Sequence, residues 1–373
     1  MKRGPRQSWR WWLPQLLLMV ALVAFAAGLG LMLAANMAER GMTADFAFLG
    51  NTARFPIAES LLPYSPLDSF AWAFVVGLGN TLFLTLLVIL LSTLVGVPVA
   101  LGRRSHHMLA HNLAGAFINL LRNTPLVVQL LFWYGVLTIG LPPSQEALQP
   151  LPGVFLTDRG LYFTSFGITG TALPMVATVI GGLLLTAILA WRGRLHQASL
   201  ATLSTVLVAT AIWFALDLGI ERDMPRLGRY NVEGGLTLTP EFMAVLVGSV
   251  LYASAFAAEI VRGGIEAVPA GQWAACRAMG LTDRQSLRTV IVPQALRIMV
   301  PPMTSQFINI LKNSTLALVV GYPELNFIAN TSMNHTGQAL ESVGLLMLVF
   351  LVLAATISLL MNRLNRHAAR WAQ

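Results

Sequence analysis

The chain has 373 residues, of which 56% are hydrophobic and only 11% are charged, and it carries a net charge of +8. Soluble domains contain about 25% charged residues, so the composition excludes an ordinary soluble protein and a disordered chain. Nucleic-acid binding is excluded as well, because the basic residues lie in short loops between apolar runs and form no continuous face. The single cysteine, Cys276, excludes a disulfide framework and a multi-cysteine metal site. A polytopic membrane protein remains.

Eight apolar segments are long enough to cross a bilayer, whose core needs about 20 helical residues. In chain order they are Leu13–Ala35, Trp72–Leu101, Ala116–Leu141, Ala172–Trp191, Leu200–Leu218, Phe242–Ile260, Met303–Gly321 and Ala339–Met361. The first is longer than the roughly 7–15 apolar residues of a signal peptide, which predicts a retained helix. The sequence therefore predicts an all-α, polytopic helical membrane protein with about eight transmembrane helices.

The loops between these segments predict the orientation of the chain. With the N-terminus inside, the inside regions carry sixteen basic and three acidic residues, whereas the outside regions carry six basic and thirteen acidic ones. Basic residues concentrate on the cytoplasmic side of membrane proteins. We therefore expect both termini in the cytoplasm.

The inside loop Val261–Met299 is longer than a connection between two helices requires. Pro269 suits the first turn of a short helix over Ala270–Met279. Gly280 then fits the position that follows a helix end. The first half of the loop is therefore predicted to be a short helix closed by a glycine.

A second short helix is predicted directly after this glycine. Thr282 and Gln285 have the spacing of a capping box, and Pro293 predicts the end of the helix. The helix–glycine–helix pattern fits either an amphipathic hairpin on lipid headgroups or a docking element for a cytoplasmic partner.

Two cations, Arg122 and Lys312, fall inside predicted spans. A cation at the centre of a span costs about 2.5–3.5 kcal/mol, so both are expected to face protein or water. The alternatives are snorkelling of Arg122 towards a helix end and a structural hydrogen bond across helices for Lys312.

Three blocks of sequence resemble one family of transporters. They are AACRAMG at 274–280 with VIVP at 290–293, RNTPL at 122–126 with Gln129 and FWY at 132–134, and KNSTL at 312–316 with GYPEL at 321–325. In the same order, they are similar to the EAA loop of ABC-importer permeases, to the RxTP…Q block of polar amino-acid permeases and to the KNSSL…GYP block of general L-amino-acid permeases. Ala274 stands where the family has its glutamate.

The resemblance implies a type I ABC-importer permease core in a bacterial inner membrane. It implies that the loop 261–300 couples the chain to a separate ATP-binding subunit, with the coupling residues Ala274, Ala275, Arg277, Gly280 and Pro293. The other implied partners are a second, homologous but non-identical permease and a periplasmic amino-acid-binding protein. We expect no cofactor and no enzymatic activity, because the chain has no phosphate-binding loop.

The resemblance also gives the intramembrane polar residues a role, because an amino acid carries a carboxylate that a guanidinium binds with two parallel hydrogen bonds. Our hypothesis is that Arg122 holds this carboxylate in a midplane cavity. The expected pathway residues are Arg122, Asn123, Thr124, Gln129, Lys312, Asn313, Ser314 and Thr315. Family members specific for basic amino acids are expected to have an acidic residue at Asn313, so the amide favours a broad or neutral substrate range.

The blocks predict how the chain is organised along its length. The expected parts are an N-terminal helix and first periplasmic loop (1–71), the first part of the core (72–141), an inserted region with two helices (142–239), the second part of the core (240–361) and a cytoplasmic tail (362–373). A secondary, ion-coupled amino-acid transporter is the alternative. It would need carboxylates inside spans and paired repeats, whereas only Glu259 and Asp217 approach a span.

Overall fold

The computed structural model describes residues 12–39, 45–168, 195–216, 220–229 and 231–370, with nine scattered positions between 169 and 194. The helices are α1 (Trp12–Glu39), α2 (Phe70–Arg103), α3 (Met108–Asn123), α4 (Leu126–Ile139), α5 (Leu195–Ala215), α6 (Pro240–Glu266), α7 (Ala270–Ala278), α8 (Asp283–Ser286), α9 (Val292–Asn313), α10 (Leu325–Thr336) and α11 (Ala339–Arg370). Short 3₁₀ helices cover Ala47–Gly50, Ser144–Glu146 and Ser314–Val320, and a π-helix covers Leu287–Ile291.

Four helices in the described part of the chain are long and apolar enough to cross a membrane. They lie at Trp12–Met32, Phe70–Arg103, Pro240–Glu266 and Ala339–Arg363 and match the first, second, sixth and eighth predicted segments. The fifth segment corresponds to a shorter apolar helix, Ser199–Ala215. The fourth, Ala172–Trp191, lies largely outside the described residues.

The third predicted segment, Ala116–Leu141, is not one continuous helix. α3 ends at Asn123, α4 begins at Leu126, and the two helix axes differ by 104°. The cause is Pro125, which disfavours the α conformation of the residue before it, and Thr124 is accordingly extended with ψ 126°.

The prediction that Pro293 ends the second short helix of the loop is wrong. α8, the π-helix Leu287–Ile291 and α9 follow one another without a gap. Pro293 lies in the first turn of α9, where the N–H group that proline lacks has no role in the α-helical ladder. The seventh predicted segment, Met303–Gly321, accordingly begins within α9 and ends one residue after the 3₁₀ helix that follows it.

Residues 142–239, which we expected to be an insert with two helices, contain β-strands that we did not predict. They are β1 (Leu148–Leu151), β2 (Val154–Thr157), β3 (Gly160–Phe163), β4 (Ser165–Ile168), β5 (Ile220–Asp223), β6 (Arg226–Leu227), β7 (Val232–Glu233) and β8 (Leu236–Leu238). An antiparallel sheet has the order β1-β2-β3-β8, while β4 pairs with β5 and β6 with β7. Strands of two to four residues are too short to produce a clear alternating pattern in a sequence.

The described residues form two compact units. The first comprises 1–83 and 323–363, and its core includes Phe55, Phe70 and Ile328. In this unit, the side chain of Asn80 donates to the carbonyl oxygens of Glu59 and Pro323, both at 2.9 Å. Glu324 caps α10 by accepting from the N–H of Phe327, and burial raises the pKa of its carboxyl group to about 7.

The second unit comprises 84–322 and 364–373. One apolar cluster joins α2, α4, α6 and α9 around Leu84, Leu130 and Ile310. Another joins α2, α3, α6 and α9 around Ala100, Ile118 and Met299. Within this unit, α2 and α6 touch closely at a glycine, Gly96, where no side chain separates the two backbones.

We predict that Gly96→Ala destabilises the fold. A Cβ atom at this position would lie 2.8 Å from the Cβ of Ala257 and 3.0 Å from the carbonyl oxygen of Ser254, so α2 and α6 must move apart. Overpacking of this kind costs about 1–3 kcal/mol. The thermal midpoint of the detergent-purified protein should fall. Gly135→Ala is the control, since nothing lies within 4 Å of its added Cβ. Equal midpoints for the two variants would contradict the prediction.

Candidate transport pathway and coupling element

The break between α3 and α4 is held together by hydrogen bonds to the carbonyl groups that the bend leaves free. The side-chain amide of Gln129 donates to the carbonyl oxygen of Leu121 at 2.9 Å and to that of Thr124 at 3.1 Å. Thr124 Oγ1 donates to the carbonyl oxygen of Leu120 at 2.8 Å. Gln129 is buried, so in the structure it bridges the break between the two helices.

Arg122, in the last turn of α3, belongs to a charged cluster with residues of α6. Its Nη1 lies 3.9 Å from Glu259 Oε2, and its guanidinium lies over the ring of Phe256 at 5.0 Å from the centroid. Arg262 donates to both oxygens of Glu259, at 3.1 and 2.8 Å, and to Glu266 at 2.6 Å. Glu259 therefore keeps a bidentate partner that does not depend on Arg122.

This cluster lines a polar cavity of about 280 Å³. The side chain of Arg122 is 42% exposed, so its guanidinium is accessible from that cavity. Arg103 and His111, which contact each other, form another part of the wall. The cavity is thus lined by three arginines, two glutamates and a histidine.

Asn313 and Ser314 line a different and much smaller cavity of about 10 Å³. Thr85, Ser249 and Tyr252 supply its other polar atoms, and apolar side chains of α2, α4, α6 and α9 complete the wall. The hydroxyl of Ser314 donates to the carbonyl oxygen of Leu311 at 2.7 Å. The structure therefore does not place Arg122 in the cavity that Asn313 and Ser314 line.

The remaining predicted pathway residues are distributed around these two cavities. Asn123 and Lys312 are exposed and line neither of them. Thr315 donates its hydroxyl to the carbonyl oxygen of Lys312 at 2.7 Å. Thr124 and Gln129 belong to the break itself, as described above.

The loop 261–300 contains the helix–glycine–helix element expected from the sequence. α7 ends at Ala278, two residues before Gly280, which has φ 73°, and both hydrogen bonds of the Thr282–Gln285 capping box are present. The predicted coupling residues Ala274, Ala275, Arg277, Gly280 and Pro293 are all exposed. Cys276 is buried and faces the opposite way. The element therefore exposes the small residues Ala274, Ala275 and Gly280 together with Arg277.

Side-chain contacts join this element to the longer helices. The guanidinium of Arg104, directly after α2, lies 5.5 Å from the ring centroid of Trp273 in α7. Gln294 in α9 donates to Gln272 in α7 at 3.2 Å. Trp273 also packs against the apolar cluster that joins α2, α3, α6 and α9. A displacement of α7 is thereby connected physically to these helices.

Sequence reasoning missed Thr85 and Ser249 as members of the small cavity. Both lie within long apolar helices, where a single hydroxyl residue is common and carries no spacing signal. Glu259, expected only as an acid near a span, pairs with Arg262 three residues later on the same helix and with Arg122 of α3. The i,i+3 spacing indicates the first pair, whereas no motif in the sequence shows the second.

Comparison with known proteins identifies the class to which this architecture belongs. Residues 92–372 match the family described as "Binding-protein-dependent transport system inner membrane component". A solved "amino acid ABC transporter with histidines" shares the fold over 80% of this chain and 95% of its own, with a TM-score of 0.50 and 22% identity. The chain belongs to this family and is a multi-pass inner-membrane permease with an all-α, type I importer fold.

Three curated relatives resemble the chain over nearly its whole length. The putative amino-acid ABC transporter permease protein YhdX of Escherichia coli is 38% identical, over 96% of this chain and 94% of its own. The general L-amino acid transport system permease protein AapQ of Rhizobium johnstonii is 34% identical, over 95% and 91%. The glutamate/glutamine/aspartate/asparagine transport system permease protein BztB of Rhodobacter capsulatus is 32% identical, over 93% and 91%. These relatives favour an ABC permease over a secondary transporter.

We predict that Gln129→Leu destabilises the fold by about 1–3 kcal/mol, because the carbonyl groups of Leu121 and Thr124 at the break lose their shared donor. Gln294→Leu is the control, since it removes one hydrogen bond between exposed side chains. The thermal midpoint in detergent should fall clearly for the first variant and little for the second. An unchanged midpoint for Gln129→Leu would show that the amide does not stabilise the break.

Proposed function

We propose that the chain is the membrane-spanning subunit of an ATP-binding-cassette importer that carries L-amino acids into the bacterial cytoplasm. The observation that carries the proposal is the similarity, over more than nine-tenths of both chains, to permeases named for amino-acid transport. In this proposal ATP is bound and hydrolysed by a separate subunit. Both chain termini lie in the cytoplasm, in agreement with the distribution of basic residues.

The partners in this proposal are the ATP-binding subunit, a second permease and a periplasmic amino-acid-binding protein. The loop 261–300 contacts the ATP-binding subunit through the exposed residues Ala274, Ala275, Arg277, Gly280 and Pro293. Closure of the ATP-binding subunit moves α7, and the contacts of Trp273 and Gln272 pass the movement to the ends of α2 and α9. The second permease is homologous and non-identical.

The substrate pathway in this proposal includes both cavities of the 84–322 unit. Asn313 and Ser314 contact the substrate in the small cavity. Arg122 meets it in the charged cavity, where the guanidinium is accessible and attracts the substrate carboxylate. Asn123, Thr124, Gln129, Lys312 and Thr315 flank these contacts and shape the helices that carry them.

A pull-down tests the assembly. Tagged protein at native expression is extracted in detergent, and the proteins that accompany it are identified by mass spectrometry. We expect a stoichiometric ATPase with a phosphate-binding loop, together with a second permease. A chain that purifies alone and moves amino acids into liposomes without ATP would overturn the proposal and favour the ion-coupled transporter.

Substitution of Arg122 tests the pathway. We predict that Arg122→Ala abolishes ATP-dependent uptake of labelled L-amino acids while the complex still assembles. Assembly should persist because Glu259 retains the two hydrogen bonds from Arg262. Arg159→Ala, in the loop between β2 and β3, is the control for loss of a single positive charge. Full uptake by Arg122→Ala would exclude Arg122 from the pathway.

Substitution of Gly280 tests the coupling element. Nothing lies within 4 Å of an added Cβ at Gly280, but its φ of 73° disfavours a β-branched residue by about 1–2 kcal/mol. We predict that Gly280→Val reaches the membrane but loses stimulation of the ATPase by substrate. Gly50→Val is the matched control, because Gly50 has equally open surroundings and an ordinary φ and lies outside the loop 261–300. Normal stimulation in Gly280→Val would contradict the role of this angle in docking.

A further inference from the structure

The small cavity of the 84–322 unit contains a polar group with no assigned role. Thr85 of α2 lines the cavity and is 3% exposed. Its Oγ1 is buried and has no hydrogen-bond partner among the described residues. A threonine hydroxyl inside a helix ordinarily donates to the carbonyl oxygen one turn earlier, as Thr93 of the same helix does to Ile89 at 2.7 Å. Thr85 therefore has a donor available for a group that enters the cavity.

The first turn of α4 lies beside the same cavity and has N–H groups without acceptors. Leu126, the first residue of this 14-residue helix, lines the cavity. The N-cap is Pro125, and no side chain caps the helix. Within the described part of the chain, the N–H groups of Leu126 and Val127 have no acceptor, while those of Val128 and Gln129 donate to Pro125. A helix N-terminus of this kind favours an anion.

The cavity wall is otherwise uncharged. Its polar side chains are hydroxyl and amide groups, namely Thr85, Ser249, Tyr252, Asn313 and Ser314, and no arginine, lysine, aspartate or glutamate lines it. Its volume of about 10 Å³ holds roughly one water molecule, so the structure is closed around the site. An amino acid enters only when α2, α4, α6 and α9 separate.

We propose that the α-carboxylate of the transported amino acid binds at the N-terminus of α4 and accepts a hydrogen bond from Thr85 when the cavity is open. This inference rests on the proposed function and gives it a substrate class. Because no charged side chain lines the wall, the site selects amino acids with uncharged side chains. Ser249 and Asn313 face the parts of the substrate other than its carboxylate. Arg122, on the other side of the Thr124–Pro125 break, meets the substrate in the other cavity and at another stage.

The test uses the intact complex in proteoliposomes and a ¹⁴C-labelled mixture of L-amino acids. Three variants are compared with the wild type. Thr85→Val removes the hydroxyl and keeps the shape, Thr85→Ser keeps the hydroxyl, and Thr93→Val removes a hydroxyl of α2 that is already bonded within the helix. The concentration for half-maximal uptake, basal ATPase activity and assembly are measured for each. The α-carboxamides of the same amino acids serve as competitors.

We expect Thr85→Val to raise the half-maximal concentration about tenfold, which corresponds to the loss of one hydrogen bond to a charged group. Thr85→Ser should remain within about threefold of the wild type, and Thr93→Val should not differ from it. The carboxamides should compete poorly against the wild type, and neutral amino acids should account for most of the uptake.

Three results would overturn the inference. The first is a Thr85→Val complex that transports like Thr93→Val, and the second is a Thr85→Ser complex as impaired as Thr85→Val. The third is effective competition by the carboxamides, which would show that the site does not bind the carboxylate. Failure of the proposed function looks different, because the wild-type complex itself would then show no ATP-dependent uptake.

Discussion

The interaction on which the rest of the unit depends is the bridge that Gln129 makes across the break between α3 and α4. An interrupted helix exposes backbone groups that lipid cannot satisfy, so a break at membrane depth persists only where protein or a cavity supplies partners. Here one buried amide donates to the carbonyl oxygens of Leu121 and Thr124. With the 104° bend at Pro125, Arg122 lies beside α6 and the start of α4 lies at a different cavity. Pro125 and Gln129 thus keep Arg122 at the charged cavity and the start of α4 at the small, uncharged cavity.

The helix–glycine–helix element proposed for coupling depends on a comparable local constraint, the left-handed conformation of Gly280. That angle fixes the direction of α8 relative to α7, and the capping box of Thr282 and Gln285 begins the new helix within two residues. Beyond α8 the backbone continues through a π-helix directly into α9, so no flexible connection intervenes between this element and the helix that carries Asn313. Movement at the surface of α7 therefore reaches α9 along a continuous path of hydrogen-bonded backbone.

The sequence allowed the class, most long helices and the helix–glycine–helix element to be predicted, because these depend on apolar length, on proline and glycine, and on capping residues close together in the chain. It did not show that Ala116–Leu141 bends, that Pro293 begins a helix rather than ending one, or that the inserted region contains strands. It also placed Arg122 beside Asn313, since both stand in polar blocks that resemble the same family. The bend between α3 and α4 decides which polar residues share a cavity. A contact between residues of two helices leaves no periodic signal in the sequence of either helix.

In the proposed pathway, the two cavities meet different electrostatic requirements of moving a zwitterion through a low-dielectric medium. A charged side chain is costly to hold in a closed, dry site, and no charged side chain lines the small cavity. The partial positive charge of the α4 N-terminus attracts a carboxylate without the desolvation of a charged side chain. The larger cavity holds several charges, but Glu259 and Arg262 already satisfy each other, which leaves Arg122 at 3.9 Å as the weakly engaged cation. A guanidinium in that position attracts a passing carboxylate and releases it readily, because binding and release exchange one weak ionic contact for another.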